Sequence, residues 1–380
     1  MDFFNPTPNK LNPYHYPELE NLSAFGEMDI SIWGKLAAKI GIQDVNFTCR
    51  KENNHQFSPK GVYLHPQTVL FMISRRNIRV KVMQCLYAAE SESGSILPEK
   101  GSQLLTKYLE QTSDLFTFTI LFLTEIARYA EIDSRNRASK HLPTAADLNV
   151  DTKLAGNRLL WKILEAKGFQ STVKDHHLNH LLNEELIRKI YQQLTETDLY
   201  RQYLETDGRN DRSEKEIMAF IFTDLMMANE EVTDFMEDHF ANWDDDSEML
   251  YQLVLNFLGK PASGEFLHIA GPEKTHYAQS LLQTVLDKKE LCMNLIKPKL
   301  KNWDPDRIAV LDMIMIRMGV CELLYFETIP PKVTINEYID IAKSYSTQQS
   351  GQFVNGILDS IHKDLVAEGK LKKVDFKKQA

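Results

Sequence analysis

Apolar residues recur at helical spacing along most of the chain. Near residue 80 they occupy positions i, i+4, i+7, i+8 and i+11, which predicts one buried face of a helix. This stripe consists of Ile78, Val82, Cys85, Leu86 and Ala89. A helical pattern resumes at Gln103 and continues to about Glu131, after a predicted break between Gly94 and Pro98. A polar segment at 133–151 is predicted to be a linker.

The C-terminal region continues the pattern in three further helices. Residues 308–326 are apolar almost all round, which predicts a central helix buried on most faces. Pro330 and Pro331 then force a break. Two amphipathic helices follow, with stripes formed by Val333, Ile335, Ile339 and Ala342 and by Phe353, Ile357 and Ile361. Glycine inside a helix costs about 1 kcal/mol relative to alanine, so we expect another helix to approach Gly356 closely.

The middle of the chain holds at least four more helical patterns. They span residues 154–166, 178–194, 217–235 and 249–258. Ser213 with Glu216 is predicted to form a capping box before the third pattern, and Thr334 with Glu337 before a later helix. Nothing in the pattern requires a β-sheet. The sequence therefore predicts an all-α fold.

Both ends of the chain differ from this helical body. Residues 1–71 combine Pro- and Asn-containing stretches with one short amphipathic segment around Trp33, and they have no sustained period. We predict that this extension is poorly ordered, because such a composition offers little apolar surface to bury. Residues 367–380 are predicted to form a basic tail.

Cysteine usage and hydropathy are typical of a cytoplasmic protein. Cys49, Cys85, Cys292 and Cys321 are far apart, with no C-x-x-C pair and no secretory leader, which predicts reduced thiols. The longest apolar run, residues 115–124, is about half the length that crosses a bilayer and is predicted to be a buried helix. We therefore expect no membrane segment, no metal and no other cofactor.

Two segments carry motifs typical of a known family. One is an arginine-rich helix leading to Gln-x-Leu-Tyr, and the other contains Pro-Pro and closes with Phe-Val-Asn-Gly-Ile-Leu-Asp. Together these segments resemble the NusB family of bacterial transcription antitermination factors. The resemblance covers about residues 72–90 and 276–364.

The resemblance divides the chain into five parts. NusB-like helical bundles are expected on both sides of an additional helical insertion. The predicted parts are an N-terminal extension (1–71), N-terminal NusB-like helices (72–132), an acidic helical insertion (133–270), a C-terminal NusB-like bundle (271–366) and the basic tail (367–380).

The resemblance implies an RNA-binding protein rather than an enzyme. NusB-like proteins are expected to pair with NusE, a small-subunit ribosomal protein that doubles as an elongation factor. The pair is expected to bind single-stranded boxA RNA of ribosomal RNA leaders and to join the elongating RNA polymerase. One alternative is a relative of ribosomal RNA cytosine methyltransferases, whose front domain shares the helical fold, but this chain has no Pro-Cys nucleophile motif. A helical scaffold protein is the other alternative.

The basic start of the first helix is the first candidate RNA site. Guanidinium groups pair with phosphates and stack on bases. By the resemblance, the candidate residues are Ser74, Arg75, Arg76, Arg79, Lys81 and Gln84. Arg76 and Arg79 fall off the apolar stripe, so we expect both to be exposed. Charge alone favours the alternative of an ordinary solvated helix end.

A second candidate RNA surface lies in the C-terminal region. Its residues are Lys332, Asn336, Lys343 and Phe353. An exposed phenylalanine stacks under an unpaired base, whereas a buried one belongs to the core. Spacing favours a core position for Phe353, and the resemblance keeps it as a candidate for RNA binding.

A cluster of three histidines has an ordinary structural interpretation as well as a functional one. His176, His177 and His180 form a histidine cluster, but a zincin would require Glu at position 177, so a solvated helix start is the ordinary explanation. Three neutral imidazoles nevertheless suffice to bind zinc.

The net charge of −9 is concentrated in the insertion. Residues 201–250 contain 15 Asp and Glu against 4 Arg and Lys, a net charge of −11, so the rest of the chain sums to +2. The run lacks the ligand spacing of an EF-hand. An acidic run of this kind usually forms a solvated face. Its functional interpretations are a surface that docks a basic protein and a rim that repels RNA. We expect Asp244, Asp245 and Asp246 to face away from the RNA surface.

Overall fold

The computed structural model describes residues 73–93, 98–260, 269–300 and 308–374. Every regular element within these ranges is a helix, so the prediction of an all-α fold is confirmed. The predicted N-terminal extension, residues 1–71, lies outside the described residues.

Helices run through the first described half of the chain. They are α1 (Arg75–Ser93), α2 (Pro98–Ala138), α3 (Ala145–Leu148), α4 (Arg158–Leu164), α5 (Lys167–Asp175), α6 (Glu184–Thr195), α7 (Asp198–Glu205), α8 (Asp211–Phe220), α9 (Glu230–His239) and α10 (Trp243–Gly259). A 3-10 helix at Leu178–Leu181 precedes α6, and a π-helix at Ile221–Met226 follows α8.

The second half is also helical. Its helices are α11 (Gly271–Asp287), α12 (Lys289–Ile296), α13 (Val310–Tyr325), α14 (Pro331–Tyr345) and α15 (Gln348–Ala367). Pro330 occupies the N-cap position of α14 without a side-chain cap, and Pro331 is the first residue of the helix, where a missing N–H costs nothing, so the predicted break is confirmed.

Helix α13 is the central helix of this half, as its all-round apolar pattern predicts. Residues 314–323 are buried without interruption. The helix contacts α1, α11, α12, α14 and α15, which together surround it. An amphipathic helix would present a polar face to water, and α13 has no such face over these residues.

The close helix approach occurs at Gly319 of α13, and the prediction that it occurs at Gly356 is wrong. A Cβ built on Gly356 would meet no atom within 4 Å. A Cβ on Gly319 would lie 2.8 Å from both terminal carbons of Leu358 and 3.3 Å from the Tyr338 ring. Glycine is therefore required where α15 and α14 press against α13.

These two glycines predict opposite effects of the same substitution. Gly319→Ala is expected to destabilise the fold by about 1–2 kcal/mol, because overpacking the contact with Leu358 outweighs the better helix propensity of alanine. Gly356→Ala is expected to stabilise it by about 0.5–1 kcal/mol, because the exposed helix gains propensity without a clash. Urea denaturation of both variants measures the difference. Equal effects of the two substitutions would contradict the close approach at Gly319.

Helix α2 forms the long axis of the first half. It has 41 residues, extends beyond its predicted end at Glu131, and contacts α1, α5, α6, α10 and α11. Ion pairs of Arg135 with Glu131 and of Arg137 with Asp133 support the extra turns, at i, i+4 spacing. The run 115–124 lies buried in the middle of α2, which confirms its prediction as a buried helix.

Several predicted boundaries are wrong because asparagine side chains cap helices at unexpected places. Asn183 accepts from the Leu186 N–H, so the pattern 178–194 is divided into a 3-10 helix and α6. Asn229 caps α9 and ends the continuous helix predicted over 217–235.

Asn210, not Ser213, caps α8. Thr334 lies inside α14 and donates to Glu322, so it forms no capping box with Glu337.

The described part of the predicted basic tail, up to Val374, contacts the body after α15 ends. Lys373 Nζ donates to the carbonyl oxygens of Phe326 at 2.8 Å and Glu322 at 3.0 Å. The Val374 N–H donates to the Glu327 carbonyl at 3.0 Å. Cations at a helix C-terminus satisfy its free carbonyls, so Lys373 caps α13.

Candidate nucleic-acid interface

The start of α1 is exposed, as predicted, at Ser74, Arg75 and Arg76. Arg75 pairs with Glu273 at 2.7 Å. Arg76 reaches across to α14, where its guanidinium lies 3.9 Å from an Asp340 oxygen and 3.5 Å from the Ser344 hydroxyl. Both arginines are within reach of solvent and keep N–H groups that a phosphate can use.

Arg79 is buried, and the prediction that it is exposed is wrong. Its side chain is only 2% exposed and forms two parallel hydrogen bonds to Glu322, at 2.7 and 2.9 Å. A further contact of 3.3 Å joins it to Glu337. This guanidinium is occupied by carboxylates and is not available to RNA in this structure.

Glu322 is the centre of a buried polar cluster. Besides Arg79, it accepts hydrogen bonds from Thr334 at 2.8 Å, Tyr277 at 2.9 Å and Tyr338 at 3.0 Å. Desolvation acts to raise the pKa of Glu322, but the hydrogen bonds and the charge of Arg79 outweigh it and the pKa is lowered. Glu322 is therefore charged, and it joins α1, α11, α13 and α14.

Lys81 is also buried, which removes it from the candidate RNA surface. Its Nζ lies 2.8 Å from Asp246 Oδ2, and both side chains are 2% exposed. The same carboxylate accepts from Thr112 at 2.7 Å and Asn242 at 2.6 Å. A buried charge requires such partners, so this cluster holds α1, α2 and α10 together.

The acidic segment contacts α1 at Gln84 and Lys81, two of the predicted RNA-binding residues, so the prediction that Asp245 and Asp246 face away from the RNA surface is wrong. Gln84 Nε2 donates to Asp245 at 2.5 Å, next to the buried Lys81–Asp246 pair. Burial raises the pKa of Tyr345, at the end of α14, and the nearby charge of Asp245 adds to that rise. Other acidic residues of the segment remain solvent-exposed, namely Asp234, Glu237, Asp238, Asp244 and Glu248.

Helix α14 presents a polar stripe beside Arg76. Lys332, Asn336 and Lys343 are exposed, at spacings that place them on one face with Asp340. Asp340 contacts both Arg76 at 3.9 Å and Lys343 at 3.5 Å, so the two candidate sites meet there. We refer to one cationic surface, formed by Ser74, Arg75, Arg76, Lys332, Asn336 and Lys343.

Phe353 occupies a core position, the alternative that spacing favours. It is 7% exposed and packs with the buried residues of the bundle. A shallow groove runs past it on α15, lined by Lys299, Gln349, Gln352, Gly356, Ile357 and Ser360. Stacking of a base on the ring face would require Phe353 to move outward.

The histidine cluster connects two helices of the first half. His176 Nδ1 lies 2.5 Å from Asp114 Oδ1, which joins the end of α5 to α2. Desolvation raises the pKa of Asp114, and His176 opposes that rise. Within the described ranges, no group of three His, Cys, Asp or Glu side chains is arranged to hold a metal ion.

Membrane insertion of a helix has no support in the part of the chain that the structure describes. No helix there combines the length and the apolar character needed to cross a bilayer.

Sequence reasoning missed the acidic and polar partners of the cationic residues. Glu273, Asp340 and Ser344 contact Arg75 or Arg76, and Asp245 contacts Gln84. Asp340 had one available signal, since it stands four residues after Asn336 on the same helical face. The other contacts join residues far apart in the sequence.

The fold and the site define an all-α protein with a cationic surface shared by its first helix and a C-terminal helix. A model of the NusB family matches residues 247–363. The match begins inside the segment predicted as an insertion, at α10. The chain belongs to the NusB family.

Known relatives agree with this assignment. The chain is 43% identical over 102 residues to a transcription antitermination protein NusB from Salinibacter ruber, covering 27% of this chain and 64% of the relative. It is 48% identical over 83 residues to that of Methylacidiphilum infernorum, covering 22% of this chain and 58% of the relative. It is 41% identical over 91 residues to that of Bacillus mycoides, covering 24% of this chain and 70% of the relative. The chain thus spans less than two thirds of the first two relatives. No solved structure matches it.

Proposed function

We propose that this protein is a transcription antitermination factor that binds single-stranded boxA-like RNA through the cationic surface. NusE is the proposed protein partner, and the RNA polymerase elongation complex is the proposed site of action, promoting ribosomal RNA transcription. The names of its relatives, each a transcription antitermination protein NusB, support this role. No bond-making step is part of it.

The observation that carries the proposal is the junction of Arg76 with α14. Arg76 contacts Asp340 and Ser344, and Lys343 contacts the same Asp340, so two cationic segments far apart in the sequence form one surface. Arg75 extends it on one side, and Lys332 extends it along α14. A row of cations suits a single strand of phosphates, with Ser74 and Asn336 as neutral hydrogen-bonding groups.

The proposed RNA site is smaller than the set of residues predicted from the sequence. Arg79 and Lys81 are excluded from it because both are buried in ion pairs. Phe353 is excluded because its ring belongs to the core. Gln84 lies at the edge of the surface, where Asp245 occupies its amide.

A binding titration of boxA-like RNA, with and without NusE, tests the proposal. We expect the full chain to bind this RNA more tightly than a scrambled RNA of the same length, and NusE to strengthen binding further. With four cations at the surface, the log-log salt slope is expected to be about −3, since each contact with a single strand contributes about 0.7. Equal binding of boxA-like and scrambled RNA, with or without NusE, would overturn the proposal.

A further inference from the structure

The corner between α9 and α10 brings an acidic residue to the edge of the cationic surface. Phe240 and Trp243 are buried there and anchor the corner in the core. Asp246 is fixed by Lys81, Thr112 and Asn242. These contacts leave the neighbouring Asp245 little freedom to move away from α1.

Asp245 lies beside both helices that form the cationic surface. It accepts from the Gln84 amide of α1 at 2.5 Å. Burial raises the pKa of Tyr345 on α14, and the nearby charge of Asp245 adds to that rise. The Asp245 side chain is half-buried, whereas Asp244 beside it is exposed.

We propose that Asp245 is an autoinhibitory residue, which closes the cationic surface at its Gln84 end by occupying the Gln84 amide. This inference rests on the proposed RNA function. An amide is a group that pairs with the edges of unstacked bases, and here it is bonded to a carboxylate. RNA that reaches this end must displace Asp245 and must also bring phosphates toward its negative charge.

The adjacent Asp244 provides a matched control. Among the described residues it takes part in no hydrogen bond or ion pair, yet its removal changes the net charge by the same amount at nearly the same place. A variant at Asp244 therefore reports the long-range field alone. A variant at Asp245 reports the field together with release of the Gln84 amide.

The test measures RNA affinity of the full chain and its Asp245→Ala, Asp245→Asn and Asp244→Asn variants, using fluorescently labelled boxA-like RNA at physiological salt. Asp245→Ala is expected to bind about five- to tenfold more tightly, the effect of releasing a hydrogen bond to a charged acceptor. Asp245→Asn is expected to gain less, because its amide oxygen still accepts from Gln84. Asp244→Asn is expected to change affinity by less than about twofold, since its charge is screened by solvent.

A second substitution tests whether the freed amide causes the gain. Adding Gln84→Ala to Asp245→Ala is expected to remove most of the increase in affinity. The inference is overturned if Asp245→Ala binds RNA no more tightly than the unchanged chain while melting at a similar temperature. It is equally overturned if Asp244→Asn produces the same gain. If Asp245→Ala does not fold, Asp245→Asn decides, and an unchanged affinity there overturns the inference.

Arg76→Ala, measured in parallel, separates this inference from the proposed function. Absence of specific RNA binding by the unchanged chain defeats the proposed function. Specific binding that Arg76→Ala weakens, but that the Asp245 variants leave unchanged, defeats only the role of Asp245.

Discussion

Replacing Glu322 by Gln is expected to destabilise the fold by about 3–5 kcal/mol, the cost of leaving a buried charge without its partner. Arg79 is 2% exposed and has its two shortest hydrogen bonds to this carboxylate. Thr334, Tyr277 and Tyr338 also donate to it, so a neutral amide disturbs contacts on several helices. Urea denaturation at neutral pH measures the loss.

Glu337→Gln is the control for this prediction. Glu337 also contacts Arg79, at 3.3 Å, but its side chain is 30% exposed. A partly exposed pair contributes little, so the expected cost is below about 1 kcal/mol. Equal losses for the two variants would show that Arg79 does not depend on Glu322 in particular.

The stability difference between the unchanged chain and Glu322→Gln is expected to depend on pH. The folded-state pKa of Glu322 lies below its ordinary value of 4.5. Its contribution to stability is therefore fully present above about pH 4.5 and is lost as the pH falls through the lower folded-state pKa. The difference in free energy of unfolding between the unchanged chain and Glu322→Gln should shrink in that acidic window. A difference that grows as the pH falls would contradict a charged Glu322.

The double variant Arg76→Ala/Lys343→Ala is expected to weaken binding of boxA-like RNA at least about tenfold at physiological salt and to reduce the log-log salt slope by about 1.4, which corresponds to two phosphate contacts. The Arg76 and Lys343 side chains are 43% and 47% exposed, so their removal should hardly change stability. Titrations at several salt concentrations measure both quantities.

A second double variant, Arg128→Ala/Lys363→Ala, removes the same charge away from the cationic surface. These side chains are 48% and 73% exposed, and among the residues that the structure describes they pair with neighbours on their own helices, Glu125 and Asp359 respectively. RNA affinity is expected to fall by less than about threefold, because solvent screens distant charges. If both double variants weakened binding equally, the cationic surface would have no special role.

Periodicity along the chain was sufficient for the class of fold and for the central helix. Residues 308–326 have apolar side chains on every face, and a helix of that kind is stable only when other helices surround it. Prolines at 330 and 331 restrict the backbone locally, so the break before α14 also follows from the sequence. The exposed start of α1, with Arg75 and Arg76, was equally predictable because it precedes the apolar stripe.

The state of the other charged residues was decided by tertiary contacts. Arg79 and Lys81 lie on the same short helix as Arg76, and spacing on that helix does not distinguish them. They are buried because Glu322 and Asp246, each more than 160 residues away, neutralise them inside the fold. A buried ion pair depends on both partners, and only the packed structure brings those partners together.

Tertiary contacts also distinguish Gly356 from Gly319 and determine where the acidic corner lies. Both glycines interrupt helical sequences, so propensity predicts the same cost for each, but only Gly319 meets another helix at 2.8 Å. The net charge of −11 in segment 201–250 can be counted from the sequence. The sequence does not determine which surface of the folded chain these charges face. Asp245 contacts α1 because the buried Phe240, Trp243 and Asp246 orient the corner, and those contacts exist only in the tertiary structure.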